Sequence, residues 1–209
     1  MTSGRFLSLE GGEGAGKSTQ AHALAAALEQ RGIDTLVTRE PGGSAGAEAI
    51  RALLMQGEAG RWSAQSEALL FAAARADHVE TVIRPALAAG RWVICDRFVD
   101  SSRAYQGVAG GLTDEAILAL HRFGSAGLLP DRTFLLALPV AAGNARALRR
   151  DGAAADRFAA RDPAFHTDVA AAFERFAMED PARFRRVDAS QPATAVTGMI
   201  IAALADWLV

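Results

Sequence analysis

The sequence contains very little lysine or cysteine, and each scarcity excludes a class of protein. Lys17 is the only lysine among the 22 basic residues. The Asn-Lys-x-Asp segment by which GTPases recognise guanine therefore cannot be built, since it would need a second lysine. The only cysteine, Cys95, excludes an internal disulfide and any metal site made of several cysteines. Because it lies in the apolar run WVIC, we expect it to be a buried core thiol.

Net charge and long apolar runs are also scarce. The formal net charge is only −2, which gives no basic field for a nucleic acid polymer. The C-terminal run MIIAALADWLV is interrupted by Asp206, which is typical of an amphipathic closing helix and not of a membrane span. No N-terminal stretch combines a basic region with a long apolar one, so we expect no signal peptide and no membrane partner. We expect a soluble, cytoplasmic protein.

What the sequence does contain is a regular alternation of short apolar runs and longer helical patterns. Five runs are predicted strands, at 5–10, 34–39, 91–96, 132–138 and 184–189. Seven patterns are predicted helices, at 17–31, 47–56, 64–89, 114–125, 141–150, 163–178 and 193–208. The alternation predicts one domain over 1–209, an α/β fold with a parallel five-stranded sheet between two helical layers. Pro85 predicts a kink or break near Arg84.

The stretch GGEGAGKST at 11–19 fits the phosphate-binding loop pattern between a predicted strand and a predicted helix. Its glycines let backbone N–H groups point at an anion, and the helix start adds its positive dipole end. Lysine reaches the β- and γ-phosphates as a compact charge where a planar guanidinium would be too wide, and the serine hydroxyl would bind Mg²⁺. The predicted ATP-binding residues are Gly11, Gly12, Glu13, Gly14, Ala15, Gly16, Lys17, Ser18 and Thr19.

A second anion site is predicted at the same edge of the sheet. TREPGG at 38–43 and DRFVDSSRAYQG at 96–107 each follow a predicted strand, and ligands bind at the carboxyl edge of open α/β sheets. In the run FAAAR, Phe71 and Arg75 are four residues apart and therefore lie one above the other on a helix face. An aromatic ring beside a guanidinium suits stacking on a base with hydrogen bonds to its edge. Asp96, at a strand end, is suited to Mg²⁺ through water or to orienting Arg97.

These motifs, together with LLPDRTFLLAL, the second DRF at 156–158 and VDASQP, resemble the bacterial thymidylate kinase family. They occur in family order and span 11–192. The resemblance implies transfer of the γ-phosphoryl group of ATP to dTMP, giving dTDP and ADP, with Mg²⁺. It also implies the nucleoside monophosphate kinase type of phosphate-loop fold, a short lid at about 149–162 and a homodimer.

The resemblance also implies roles for individual residues. Arg97 and Arg51 would hold the acceptor phosphate near Arg39, while Phe71 would stack on thymine. The remaining residues of the acceptor site are Glu40, Pro41, Arg75, Ser102, Tyr105 and Gln106; among them Arg75, Ser102 and Gln106 would recognise the polar edge of the base, and Tyr105 would lie against the deoxyribose. The catalytic candidates are Lys17, Arg97, Glu13, Asp96 and the lid arginines Arg149, Arg150 and Arg157, with Arg161 nearby. Gln191 would lie beside the adenine.

The chain departs from the family pattern at Ala137, Ala159, Ala160, Ala170 and Phe173, where family members often carry acidic residues, arginine or tyrosine. Two other functions therefore stay open from the residues alone. One is a nucleoside or nucleotide kinase with a different acceptor. The other is a regulatory module that binds ATP and transfers nothing.

The segment 151–162 has little apolar pattern and is a candidate mobile loop. The four histidines show no metal-binding spacing and are interpreted as structural.

Overall fold

The computed structural model describes residues 4–58, 60–151, 157–158 and 160–208, without the side chains of residues 150 and 151. Its strands are β1 (Phe6–Glu10), β2 (Thr35–Arg39), β3 (Trp92–Asp96), β4 (Arg132–Ala137) and β5 (Phe184–Asp188). Its α-helices are α1 (Lys17–Glu29), α2 (Ala45–Met55), α3 (Ala64–His78), α4 (Arg84–Ala88), α5 (Val99–Ser102), α6 (Asp114–Ser125), α7 (Val140–Asp151), α8 (Pro163–Glu179) and α9 (Ala193–Ala202). The predicted strands are confirmed to within a residue at each end.

The described strands form one parallel sheet in the order β2-β3-β1-β4-β5. The central strand β1 lies between β3 and β4, with Leu7 opposite Ile94 on one side and Arg132 on the other. Since all strands run the same way, the carboxyl ends of β2, β3 and β1 lie side by side at one edge. The loops that leave these three ends carry the TREPGG, DRF and phosphate-loop motifs.

Helices cover both faces of this sheet, as the alternation predicted. On one face, Leu7 and Leu9 of β1 pack with Leu24 of α1 and Ile200 of α9 in a single buried cluster. On the other face, separate clusters join the sheet to α8 and to the long helical segment before β3. Cys95 is fully buried in one of them, which confirms the prediction of a core thiol. The three-layer α/β/α architecture is thereby confirmed.

The helical segment before β3 departs from α-helical geometry in front of Pro85. The helix α3 ends at His78, Val79–Ile83 is π-helical, and α4 begins at Arg84, whose N–H donates to the carbonyl of Val79. Proline has no N–H to donate to the carbonyl four residues earlier, as an α-helix requires. In the π turn before it, N–H groups donate five residues back instead of four. The irregularity predicted near Arg84 therefore begins several residues earlier.

A second π-helical turn lies in the DRFVDSSRAYQG segment after β3, where no helix was predicted. Here α5 continues directly into a π-helical segment, Arg103–Val108. Single π turns are rare and occur frequently at functional sites. This one carries Tyr105 and Gln106, so it decides how both side chains are presented.

The C-terminal helix is shorter than predicted, ending at Ala202 before a single 3₁₀ turn, Ala205–Trp207. Leu204 and Trp207 continue the core cluster of α1 and α9. Within the part of the chain that the structure describes, no helix is long and apolar enough to cross a membrane.

Candidate active site

The phosphate loop connects the end of β1 to the first turn of α1. Gly16 caps the helix at φ 90° and Gly14 has φ 66°, both in the left-handed region that favours glycine. A Cβ at Gly14 would also lie 2.1 Å from the carbonyl oxygen of Gly143 in α7. Glycine at this position is therefore required both by backbone conformation and by the close approach of α7, and the loop has the shape of an anion cradle.

Lys17 lies folded against this loop and is buried. Its Nζ donates to the carbonyl oxygens of Gly11 at 3.0 Å and Gly12 at 2.7 Å. Burial, and then the charge of Arg97, lower the pKa of Lys17 to about 8 against the opposing attraction of nearby carboxylates. Lys17 is thus a desolvated ammonium group held by two backbone carbonyls.

The next residue, Ser18, donates its hydroxyl to Asp96 at the end of β3. Hard oxygen donors of this kind suit Mg²⁺, which commonly binds through one or two protein oxygens together with substrate phosphates. Among the described residues, no cluster of three or more His, Cys, Asp or Glu could hold a metal ion without such a substrate. The donor set therefore fits an ion that arrives with a nucleotide.

A cluster of charged side chains lies between the phosphate loop and the segment after β3. Arg97 donates to Glu13 at 2.7 Å and to the carbonyl of Gly11 at 3.1 Å, and Tyr105 donates to the same Glu13 oxygen at 3.0 Å. Burial opposes ionisation of Glu13, but Arg97 and Lys17 outweigh it and lower its pKa to about 2. Arg97 itself has φ 69°, a strained conformation for a residue with a side chain and one that clusters at active sites.

A second cluster is buried around Arg75 of α3. Its Nε donates to Glu40 at 2.7 Å and its Nη2 to the hydroxyl of Ser102 at 2.8 Å. Glu40 also contacts Nδ1 of His78 at 3.2 Å, and the other ring nitrogen of His78 lies 2.7 Å from the hydroxyl of Thr38. No described residue bonds to Nη1 of Arg75, which leaves two N–H donors of a fixed guanidinium for a ligand.

The lid-end residues of the described chain reach the same region. Arg157 donates to Glu67 at 2.6 Å and to the carbonyl of Leu54, and Arg161 donates to the same Glu67 oxygen at 3.2 Å. The other oxygen of Glu67 accepts from the amide of Gln106 at 2.9 Å. Glu67 is thus the centre of a buried polar contact between α3, the second π turn and the end of the predicted lid segment.

One cavity of about 430 Å³ connects these clusters. Every residue predicted for the acceptor site lines it, as do the phosphate-loop residues Glu13, Gly14, Gly16, Lys17, Ser18 and Thr19. Asp96 lines it too. The cavity therefore has one end formed largely by the phosphate loop, called the phosphate end, and another formed by apolar and polar side chains, called the base end after the prediction for it.

Gly11, Gly12 and Ala15 belong to the phosphate loop without lining the cavity, and three other predicted catalytic or ATP-site residues lie outside both. Arg149 is exposed on α7, and Gln191 lies in the turn after β5, where its amide donates to Asp188 at 3.0 Å. Arg157, expected to face the transferring phosphate, is instead buried against Glu67, and neither it nor the other two lines the cavity as the structure describes it. The side chain of Arg150 lies outside the described residues.

Several cavity residues had no sequence prediction, namely Met55, Phe98, Ser101 and Phe158. Phe158 comes from the lid motif, and its ring contacts that of Phe71 edge-on at 5.7 Å between centroids. A signal was present for Glu67, which precedes Phe71 and Arg75 by four and eight residues and so shares their helix face.

Comparisons with known proteins agree with one another. The model of the thymidylate kinase family matches residues 9–200. The chain is 62% identical over 205 residues to a thymidylate kinase of Rhizorhabdus wittichii, covering 98% of this chain and 99% of that protein. It is 50% identical to a thymidylate kinase of Caulobacter vibrioides, covering 96% and 95%. The crystal structure of thymidylate kinase from Ehrlichia chaffeensis matches with TM-score 0.78 and 31% identity, over 97% of this chain and 99% of that one.

Proposed function

The chain belongs to the thymidylate kinase family, an enzyme family that phosphorylates dTMP with ATP, and we propose that the 430 Å³ cavity is where this chain does so. One observation carries the proposal: the residues predicted for the acceptor line the same cavity as Lys17 and Ser18 of the phosphate loop. A donor and an acceptor phosphate can therefore meet within it. Phosphoryl transfer depends mainly on such positioning and on neutralised oxygens.

At the phosphate end, Lys17 would leave the carbonyls of Gly11 and Gly12 and bind the β- and γ-phosphates. Arg97 and Arg51 would hold the phosphate of dTMP. An oxygen of that phosphate forms the new bond to the γ-phosphorus while the bond to the bridging oxygen of ADP breaks. Because the attacking oxygen is already ionised at neutral pH, Asp96 need not act as a base, and Glu13 serves to orient Arg97 through their 2.7 Å contact.

Mg²⁺ belongs to the same proposal. Ser18 and Asp96 would hold it, directly or through water, and it would supply charge neutralisation at the phosphate oxygens. The mutual hydrogen bond between these two side chains supports the assignment, because it shows that their oxygens converge at the mouth of the phosphate loop.

At the base end, Phe71 would stack on thymine while Arg75, Ser102 and Gln106 bind its polar edge. Tyr105 would lie against the deoxyribose, since its buried hydroxyl is already occupied by Glu13 and its ring faces the cavity. The exposed Arg149 on α7, and Arg150 next to it, are the lid arginines that we propose for the transferring phosphate. Arg157 has a different role, described below.

We propose a homodimer formed through α2, α3 and α6. The helix α3 packs against both α2 and α6, and each of the three exposes a large apolar side chain: Leu53 at 44%, Leu69 at 56% and Phe123 at 94% exposure. Exposed apolar side chains on neighbouring helices are typical of a protein–protein contact surface. Light scattering should give a dimer, and Phe123→Glu should shift it to monomer; a wild-type monomer would contradict the assignment.

The cytoplasm, where ATP is made, is the proposed location, and cell fractionation tests it.

The function is tested by coupled ADP release with ATP and Mg²⁺ across dTMP, dUMP, UMP, dCMP, AMP and thymidine. We expect strong preference for dTMP. Preference for another acceptor would keep the phosphate end and overturn the base end of the assignment. ATP binding without transfer to any acceptor would support the regulatory alternative.

A further inference from the structure

Glu67 has no part in the roles assigned so far, yet it is one of the most highly connected buried groups near the cavity. Its side chain is 5% exposed. One carboxylate oxygen accepts from Arg157 at 2.6 Å and from Arg161 at 3.2 Å, and the other accepts from Nε2 of Gln106 at 2.9 Å. A carboxylate that pairs with two guanidinium groups offers only acceptor oxygens to its other partners.

This restriction fixes the orientation of the Gln106 amide. Turning the amide over would place its carbonyl oxygen against a carboxylate oxygen, which has no proton to offer, so Nε2 must face Glu67. The opposite end of the amide is then Oε1. No described residue donates to this oxygen, and Gln106 lines the cavity at the base end.

The exposed group at this point of the cavity is therefore a hydrogen-bond acceptor. Thymine and uracil carry a proton on N3 and can donate to it, whereas cytosine presents an unprotonated N3 and would face it lone pair to lone pair. We propose that Glu67 is a positioning residue that holds Gln106 with its carbonyl toward the base and thereby selects pyrimidines with an N3–H. The proposal rests on the assignment of the base end in the proposed function.

The same carboxylate also ties this selection to the lid. Arg157 and Arg161 lie on either side of Phe158, which lines the cavity and contacts Phe71. The guanidinium carbons of Arg157 and Arg161 also lie 4.5 Å and 5.7 Å from the ring centroid of Phe158. Glu67 thus contacts both Gln106 and Arg157, the neighbour of Phe158, and this gives Arg157 a structural place beside the base end.

The test is Glu67→Gln, which has nearly the same shape. With its carbonyl kept toward the arginines, the new amide presents its NH₂ group to Gln106, so Gln106 must turn and show its own NH₂ to the base. We expect the ratio of kcat/KM for dTMP over dCMP to fall at least about tenfold, the scale of one mismatched buried hydrogen bond. KM for ATP should stay unchanged. Glu174→Gln, an exposed carboxylate paired with Arg186, is the matched control and should keep the wild-type ratio.

The double variant Glu67→Gln/Gln106→Glu separates orientation from simple damage. Its residue 106 again has an acceptor facing the base, because its other oxygen accepts from the amide at 67, so the preference for dTMP should return. A folded E67Q with the wild-type ratio would overturn the proposal, as would a double variant that fails to recover. A wild type inactive on dTMP would instead overturn the proposed function.

Should E67Q not fold, the wild-type protein still tests the idea by NMR of the Gln106 side-chain amide. We expect the NH₂ proton that binds Glu67 to be protected from exchange both with and without dTMP, since this hydrogen bond is present throughout. Protection that develops only on adding dTMP would mean that the NH₂ group faces the base, and the proposal would be wrong.

Discussion

The two ends of the cavity are built in opposite ways. The phosphate end is formed mainly by one short continuous loop, in which Lys17 donates to the backbone carbonyls of Gly11 and Gly12, with Asp96 and Arg97 beside it. The base end has no continuous stretch: Arg75, Gln106 and Phe158 come from three separate segments and meet through side chains. A backbone cradle depends on shape, whereas a side-chain network depends on each pair of partners. Substitutions at the two ends should therefore fail differently, in turnover at one and in acceptor affinity and choice at the other.

The largest effect is expected for Lys17→Arg. The charge is kept, but the planar fork does not fit where a single ammonium now reaches two carbonyls, so turnover with dTMP should fall about 100-fold or more, as for loss of a key transition-state donor. Coupled ADP release at saturating substrates measures it. Arg186→Lys, an exposed site paired with Glu174, controls for the exchange of the two residue types and should be near normal. Near-normal turnover of K17R would remove the geometric reason for the single lysine.

Arg75→Ala should break the base end and leave the phosphate end intact. It removes donors from the base and leaves the buried Glu40 without its 2.7 Å partner. The transition-state stabilisation calculated from kcat/KM for dTMP should therefore weaken by about 1.5–3 kcal/mol, the scale of a charged hydrogen bond. KM for ATP should hardly change. Arg84→Ala, in the same long helical segment but hydrogen-bonded to the Ser125 carbonyl, serves as control. Unchanged dTMP kinetics in R75A would overturn its role in recognising the base.

The pH dependence should distinguish the ends without any substitution. Lys17 is charged below its lowered pKa of about 8, so in the free enzyme kcat/KM for ATP should fall above pH 8, approaching about tenfold per pH unit. At saturating ATP the bound phosphates keep Lys17 protonated, and kcat/KM for dTMP should stay flat over the same range. Matching alkaline limbs for both substrates would place the titrating group elsewhere than at the phosphate end.

The contrast between the ends also explains what the sequence could predict. The phosphate loop is local in sequence, so its pattern and its strand–helix context were enough to predict it. Phe71 and Arg75 were predicted because they share a helix face and belong to a family motif. Glu67 was not, because a lone helical carboxylate usually means a solvated surface and its partner Arg157 lies 90 residues away. The same separation in sequence explains why the contact of Arg157 with Glu67 was not predicted, because nothing local indicates a buried carboxylate partner.

The π turns were beyond prediction for a related reason. Hydrophobic periodicity reports which face of a helix is buried, and a single shifted hydrogen bond changes that face by too little to register in the pattern. Yet the turn at Arg103–Val108 decides where Tyr105 and Gln106 point. The element order and the sheet therefore follow from the sequence, while the exact presentation of the base end follows from tertiary contacts.

The smallest effect, and the sharpest test of where the base end stops, is expected for Phe158→Ala. The ring of Phe158 touches Phe71 edge-on and does not belong to the phosphate loop; an aromatic pair of this kind contributes about 0.5–1.5 kcal/mol beyond burial. KM for dTMP should therefore rise a few-fold, with kcat and KM for ATP unchanged. Met178→Ala, at an exposed apolar position, controls for losing a large side chain. An equal rise in KM for ATP would assign Phe158 to both ends, and the division between a backbone end and a side-chain end would then fail at the lid.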